Sequence, residues 1–107
     1  MSMTVDTDQA LPAGLKAAAE PLRWRILKSL ACEELCVCHL TEDLGVPQPL
    51  ISHHLRVLRD AGLVDSEKWR YWTYYRLNPV AVAALGGQLA GLAASAPAPA
   101  SERRPCC

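Results

Sequence analysis

Three cysteines lie within seven residues of one another, two of them separated by a single residue. Cys36 and Cys38 form a Cys-x-Cys pair, and Cys32 lies four residues before Cys36. We expect a short helix to begin at this pair, because the unpaired N–H groups and partial positive charge of a helix N-terminus lower a thiol pKa and favour the thiolate. Thiolates bind soft metal and metalloid ions. The spacing therefore predicts an ion site with Cys36 and Cys38 as ligands.

A third ligand for this site could come from either of two parts of the chain. Cys32 has the i, i+4 spacing to Cys36 that places two side chains on one face of a helix. Cys106 and Cys107 end the chain, after an Ala/Pro-rich segment long enough to bring either thiol to the site. A flexible tail loses conformational entropy when it is ordered, whereas a residue on a helix does not. Cys32 is therefore the favoured third ligand.

A helix with a polar and basic outer face is predicted shortly after the thiols. Residues 48–61 carry apolar side chains at i, i+4 and i+7, which form one buried face. The preceding short helix, at about 38–44, ends at Gly45. Two helices joined by a short turn, the second with basic residues outside, form the helix-turn-helix pattern. The residues of the second helix that we expect to contact DNA are Gln48, Ser52, His53 and Arg56.

Beyond Gly62 the apolar period changes from helical to alternating. This change predicts two strands, over residues 63–68 and 71–77, joined as a hairpin. Lys68 and Arg70 lie near the turn, where their positive charge suits contact with the DNA backbone. A helix-turn-helix followed by such a hairpin is a winged helix.

Three more helices complete the predicted domain, at residues 8–19, from Pro21 to about Ala31, and after Asn78. The last helix has an apolar stripe on an Ala/Gly-rich body, and in so small a domain it needs a partner surface. The predicted fold is mainly α with a small β-hairpin, a dimeric winged helix-turn-helix. Its predicted organisation is a disordered start at 1–7, the DNA-binding and dimerisation domain at 8–94, and a flexible tail at 95–107.

Composition excludes several classes of function. The 107 residues carry eleven basic and eleven acidic side chains, so the chain as a whole lacks the net positive charge expected of a nonspecific nucleic-acid-binding protein. No apolar run approaches the roughly 18 residues that a membrane span needs. Without a secretory signal, a cytoplasmic location is expected, and there five cysteines favour metal binding or redox sensing over a disulfide framework.

Two motifs carry a family resemblance that covers roughly residues 10–92. The sequence Glu-Leu-Cys-Val-Cys at residues 34–38 and the run over residues 48–64 resemble the ArsR/SmtB family of metal-sensing winged-helix repressors. The first motif is similar to the arsenic- and antimony-sensing members. The resemblance implies a homodimer, built from the first and last helices, that binds operator DNA without metal and releases it when metalloid binds. Thr41 departs from the pattern, because arsenic sensors of the best-known type carry a third Cys there.

Three hypotheses of different classes follow. The favoured one is a repressor whose cysteine thiolates bind arsenite or antimonite, with cadmium or lead as alternative inducers. The second is a repressor of the same fold that responds to oxidation of its cysteines. The third is an enzyme or metallochaperone, but the chain has no Cys-x-x-Cys motif, no acid/base cluster and no Gly-rich phosphate loop. We therefore expect neither an enzyme nor an organic cofactor.

Overall fold

The structure, a computed structural model, describes residues 12–99 and 101–106. The predicted disordered start at 1–7 and the first part of the predicted first helix lie outside these ranges. The elements, in chain order, are α1 (Ala13–Ala18), α2 (Pro21–Leu30), β1 (Leu35–Cys36), α3 (Val37–Leu44), α4 (Gln48–Asp60), β2 (Val64–Trp69), β3 (Trp72–Leu77) and α5 (Pro79–Ser95). This is the mainly helical winged helix-turn-helix that the sequence predicts.

Local signals set the ends of the helices. The Glu20 carboxylate precedes α2 and accepts two backbone N–H groups of its first turn, at 2.9 and 3.0 Å. Asn78 does the same for α5, accepting the N–H of Ala81 at 3.1 Å. Gly45 ends α3 with φ of 67°, a left-handed conformation that glycine adopts without strain. Because these signals are local, the predicted bounds of α2, α3 and α4 agree with the structure to within about two residues. The start of α1 differs from the prediction, because this helix begins at Ala13, after the non-helical Pro12, and not at residue 8.

The predicted hairpin is present as β2 and β3, which pair antiparallel. Trp69 lies opposite Trp72 in the last pair of the ladder. Arg70 and Tyr71 form the turn, and Arg70 has φ of 58°, in the left-handed region that favours glycine or asparagine. The wing therefore turns tightly without the residues usual for such a turn.

A third strand, β1, was not predicted. Leu35 and Cys36 pair antiparallel with β3, opposite Tyr75 and Tyr74, and the strand order is β1-β3-β2. Two residues are too few to show an alternating pattern, so only the tertiary pairing identifies this strand. It attaches the start of α3 directly to the wing.

The core lies between the helix-turn-helix, α1, α2 and the base of the wing. The predicted apolar face of α4 is buried, and apolar residues of α2 and α3 meet it. The side chains with almost no exposed surface are Ile26, Leu40, Ile51, Leu55, Leu58, Leu63 and Val64.

Helix α5 differs from the others because none of its residues is buried. Leu85 packs partly against the core, but Val80 and Leu92 are 78% and 72% exposed. Trp24, on α2, is also more than half exposed. In residues 12–99 and 101–106, no helix combines the length and the apolar character that a membrane crossing requires.

Candidate functional site

The two predicted thiol ligands meet at the start of α3, with their Sγ atoms 2.8 Å apart. Cys36 is the N-cap of α3 and has extended backbone (φ −92°, ψ 170°), since it also belongs to β1. Cys38 lies in the first turn. Cys36 is buried, Cys38 is exposed, and both are free thiols. The sheet and the helix together hold one sulfur in place and leave the other accessible.

The two thiols ionise unequally. Burial raises the pKa of Cys36, but the hydrogen bond from the Cys38 thiol and the backbone N–H groups of His39 and Cys38 outweigh it, so that pKa is lowered. Donating this hydrogen bond raises the pKa of Cys38, and loss of water and the charge on Cys36 act in the same direction. Cys36 is therefore the thiol that ionises first, with Cys38 donating to it.

His39 adds an imidazole to the thiol pair, and sequence analysis did not single it out. Its Nδ1 accepts the backbone N–H of Cys36 at 3.2 Å and lies 3.3 Å from the Cys36 Sγ. The Cys36 sulfur accepts the His39 backbone N–H in return, which makes a capping box. Ligand atoms of Cys36, Cys38 and His39 all lie within 4.8 Å of one another. The sequence offered one signal for His39. It lies three residues after Cys36, at the position of the second side chain of a capping box.

Cys32 lies apart from this cluster. Helix α2 ends at Leu30, so Cys32 and Cys36 do not share a helical face, contrary to the prediction from their i, i+4 spacing. The exposed Cys32 thiol instead points back to the Lys28 carbonyl oxygen, 3.7 Å away. The structure therefore does not bring Cys32 into the group of ligand atoms around Cys36.

The other predicted candidates for a third ligand are the tail cysteines, and Thr41 stands where arsenic sensors of the best-known type carry a third Cys. The Thr41 hydroxyl donates to the Val37 carbonyl at 2.9 Å, within α3. Cys106 is exposed, and Cys107 lies outside the described residues. Cys106 is not part of the cluster of ligand atoms that the described part of the chain contains.

The thiol pair lines a surface cavity of about 370 Å³. One wall of this cavity is the start of α4, at Gln48, and another is the wing. The sulfurs thus share one cavity with both parts of the molecule that are predicted to contact DNA. The other lining residues are Val37, Tyr71, Trp72, Thr73 and Tyr75.

The predicted DNA-contacting residues of α4 are all exposed, on the side opposite its buried apolar face. Lys68 and Arg70 are exposed at the wing tip, where the Arg70 guanidinium carbon lies 5.7 Å from the centre of the Trp69 ring. The structure thus exposes both the polar side of α4 and the basic residues of the wing, the two parts of the molecule that are predicted to contact DNA. The exposed α4 residues are Gln48, Ser52, His53 and Arg56.

His54 is a buried histidine that links α4 to α1 and α2 through Arg23. Its Nδ1 accepts a hydrogen bond from the Arg23 Nη1 at 2.9 Å, and the Arg23 Nε donates to the Ala17 carbonyl at 2.6 Å. Burial lowers the pKa of His54, and the charge of Arg23 adds to this, while Glu20 opposes it. His54 is therefore neutral near pH 7, with its proton on Nε2.

Acid should weaken this connection. The pKa of His54 is lowered in the folded chain, so the unfolded chain binds the extra proton more readily and stability is lost as pH falls below about 6.5. Backbone N–H groups lower the pKa of Glu20, which adds a second loss below about pH 4.5. Urea unfolding at pH 7.5, 6.5 and 5.5 should show decreasing stability for wild type and a flatter dependence for His54→Gln. Equal slopes would show that His54 does not carry the effect.

Comparison with known proteins gives the family. The sequence profile described as "Bacterial regulatory protein, arsR family" matches residues 20–66. An uncharacterized HTH-type transcriptional regulator of Methanocaldococcus jannaschii is 46% identical over 61 residues, which cover 56% of this chain and 68% of that protein. The arsenic resistance transcriptional regulator ArsR1 of Pseudomonas putida is 45% identical over 69 residues, which cover 64% of this chain and 54% of that one. The chain thus spans little more than half of the latter relative.

A solved structure supports the same assignment over more of the chain. The crystal structure of a "Possible transcriptional regulator for arsenical resistance" superposes with a TM-score of 0.69 at 36% identity, covering 77% of this chain and 84% of that one. Fold, motifs and sequence agree, and they identify a DNA-binding regulator rather than an enzyme. The chain belongs to the arsR family of bacterial transcriptional regulators.

Proposed function

We propose that this protein is a metalloid-responsive transcriptional repressor, which binds operator DNA as a homodimer and releases it when trivalent arsenic or antimony binds Cys36 and Cys38. The observation that carries this proposal is the shared cavity, in which the two sulfurs, the start of α4 and the wing line one space. The name of the Pseudomonas putida relative, an arsenic resistance regulator, supports the choice of inducer.

A physical route connects the thiols to the DNA-binding surface. Cys36 pairs with Tyr74 of the wing sheet and also caps α3, the first helix of the helix-turn-helix. An ion that draws the two sulfurs into its own geometry must move Cys36 relative to β3, α3 or both. Allosteric coupling of this kind typically amounts to about 1–3 kcal/mol, or roughly a 5- to 150-fold change in affinity. Arsenite should therefore weaken operator binding by about that factor.

The exposed apolar face of α5 is the basis for the proposed dimer. Leu89 and Leu92, three residues apart on one side of α5, are both more than half exposed, and Trp24 borders a small apolar cavity with Val82 of α5. A second copy of the chain would bury these side chains. Two recognition helices could then meet half-sites whose centres are about one helical turn of DNA apart, or a multiple of it.

Truncation tests the dimer. Deleting residues 79–107 removes α5 and should give monomer or aggregate, because the apolar surface of α1 and α2 loses its cover. Deleting only residues 96–107, which follow α5, should leave a dimer. Sedimentation velocity separates the species. A soluble monomer that binds operator after the longer deletion would contradict the proposed interface.

The reading face of α4 gives a second test. Ser52→Ala and His53→Ala should each weaken operator binding by about 1–3 kcal/mol without changing the dimer, if these exposed side chains contact bases. Lys68→Ala and Arg70→Ala should instead weaken binding to all sequences alike and make the salt dependence shallower by about one unit. Fluorescence anisotropy with operator and scrambled duplexes measures both. Wild-type affinity in the first two variants would show that the reading face is assigned wrongly.

Thiol oxidation is a second candidate signal. The 2.8 Å between the Cys36 and Cys38 sulfurs favours it, since a two-electron oxidant could remove two electrons and two protons and join the sulfurs as a disulfide. Adding arsenite to protein kept fully reduced separates the two signals. Release under reduction supports the metalloid, and release only with an oxidant such as hydrogen peroxide supports the redox alternative.

A further inference from the structure

The cluster at the start of α3 contains a nitrogen ligand as well as two sulfurs. His39 Nδ1 lies 3.3 Å from the Cys36 Sγ, and ligand atoms of Cys36, Cys38 and His39 are mutually within 4.8 Å. We propose that His39 is the third protein ligand, and that the three residues form a two-thiolate, one-imidazole site for a thiophilic divalent ion, zinc or cadmium. This inference rests on the proposed function in taking Cys36 and Cys38 as the thiolates.

The positions of the three groups suit a shared ion. Zinc bonds sulfur at about 2.3 Å and imidazole nitrogen at about 2.0 Å, so ligand atoms around it lie roughly 3.5–4 Å apart. The 2.8 Å between the sulfurs must open, and the exposed Cys38 side chain is free to provide that movement. His39 is also exposed. Only Cys36 is fixed by packing and by the sheet, so two mobile ligands can close around an ion held by one rigid ligand.

The ligand set determines the class of ion. Imidazole is a good ligand for zinc and other borderline divalent ions, whereas trivalent arsenic is satisfied by sulfur. Three protein ligands leave zinc one further position, which water or another small molecule commonly fills. The surface cavity that Cys36 and Cys38 line has room for such a molecule. Arsenite should need the two sulfurs alone, and zinc should need the nitrogen as well.

Ion binding through His39 would also change the start of the helix. The Nδ1 that would bind the ion now accepts the backbone N–H of Cys36 at 3.2 Å. Neutral imidazole has a single acceptor nitrogen, so it cannot accept this hydrogen bond and bind an ion through the same atom. The capping box would open, and the first turn of α3 would lose one of the hydrogen bonds that begin it. The His39 Nδ1 can therefore either bind a divalent ion or cap the start of α3, but it cannot do both at once.

Substitution by glutamine separates ligation from capping. Glutamine at this position can still reach back to the N-cap N–H, as in an ordinary capping box, but its amide is a poor ligand for zinc. In reduced full-length protein, competition with a chromophoric chelator should show zinc affinity at least about tenfold lower for His39→Gln than for wild type. His53→Gln, an exposed histidine on α4, is the matched control and should bind zinc as wild type does. Cys32→Ser should also bind zinc as wild type does.

An NMR measurement reports the ligand directly. In protein with ¹⁵N-labelled histidine, one equivalent of zinc should move the Nδ1 signal of His39 and leave that of His53 in place. Unchanged zinc affinity in His39→Gln, or a loss in Cys32→Ser, would overturn the assignment of His39. The proposed function is tested separately, because it fails if Cys36→Ser and Cys38→Ser still release operator with arsenite. If both lose that response while His39→Gln binds zinc normally, only the His39 ligand is rejected.

Discussion

The Cys36→Ser variant is expected to bind operator as tightly as wild type and to remain bound when arsenite is added. Serine is among the preferred N-cap residues, and its hydroxyl can accept the His39 backbone N–H that the sulfur accepts now. Helix α3 should therefore begin at the same residue. The hydroxyl does not ionise near neutral pH and has little affinity for arsenic, so the roughly 5- to 150-fold release should disappear. Operator titrations with and without arsenite, at constant reductant, measure the difference.

Two controls define this result. Cys38→Ser should show the same loss of response, since its sulfur lies 2.8 Å from that of Cys36. Deleting residues 96–107 removes Cys106 and Cys107 and should leave the response intact. If Cys36→Ser fails to bind operator without arsenite, Cys36 has a structural role that serine cannot replace. If it is released by arsenite as wild type is, the inducer binds elsewhere.

The Leu58→Ala variant should lose about 2–5 kcal/mol of folding stability. Leu58 has no exposed surface, and it belongs to the apolar face by which α4 packs on the core. Truncation to alanine removes buried methyl groups and leaves a cavity that closely packed neighbours fill only in part. Because a small domain has only about 5–15 kcal/mol of stability, this loss is a large fraction of the total.

Leu50, on the same helix, provides the matched control. It is 41% exposed, so Leu50→Ala should cost less than about 1 kcal/mol. Urea unfolding of both variants, at one fixed protein concentration because the proposed dimer couples stability to concentration, gives the comparison. Similar losses in the two variants would mean that α4 does not pack as described.

The recognition helix and wing could be predicted because their signals are local and periodic. The apolar residues of α4 recur at helical spacing, Gly45 supplies a left-handed stop, and Asn78 with Pro79 marks the start of α5. Each signal depends on residues a few positions apart in the chain. Once the apolar face of α4 is assigned to the core, the polar residues predicted to contact DNA lie on its exposed side.

The thiol site could be predicted only in part. Cys36 and Cys38 are close in sequence, and two thiols at this spacing can meet when the first lies in the extended residue before a helix, as Cys36 does. Cys32 was placed beside them by assuming that helical spacing continues, but α2 ends at Leu30. What separates Cys32 from the pair is β1, whose existence depends on pairing with a strand nearly forty residues later in the chain.

His39 was missed for a related reason. The chain has three histidines, and residue type alone does not distinguish His39 from the other two. Its value as a ligand appears only when Cys36 is known to be the N-cap, because the capping geometry turns Nδ1 toward the sulfur. The extended backbone that makes Cys36 an N-cap comes from β1, so the pairing of β1 with β3 determines that His39, and not Cys32, lies beside the Cys36 sulfur.

The most direct test of the central claim is an arsenite titration of reduced wild-type protein bound to fluorescently labelled operator, followed by anisotropy. Arsenite should lower operator affinity by roughly 5- to 150-fold, and the effect should saturate at one metalloid per pair of Cys36 and Cys38 thiols. A titration of free thiols on the same samples counts the sulfurs engaged. Operator affinity that stays constant while arsenite occupies both thiols would contradict the claim, because the site would then bind the metalloid without controlling the DNA.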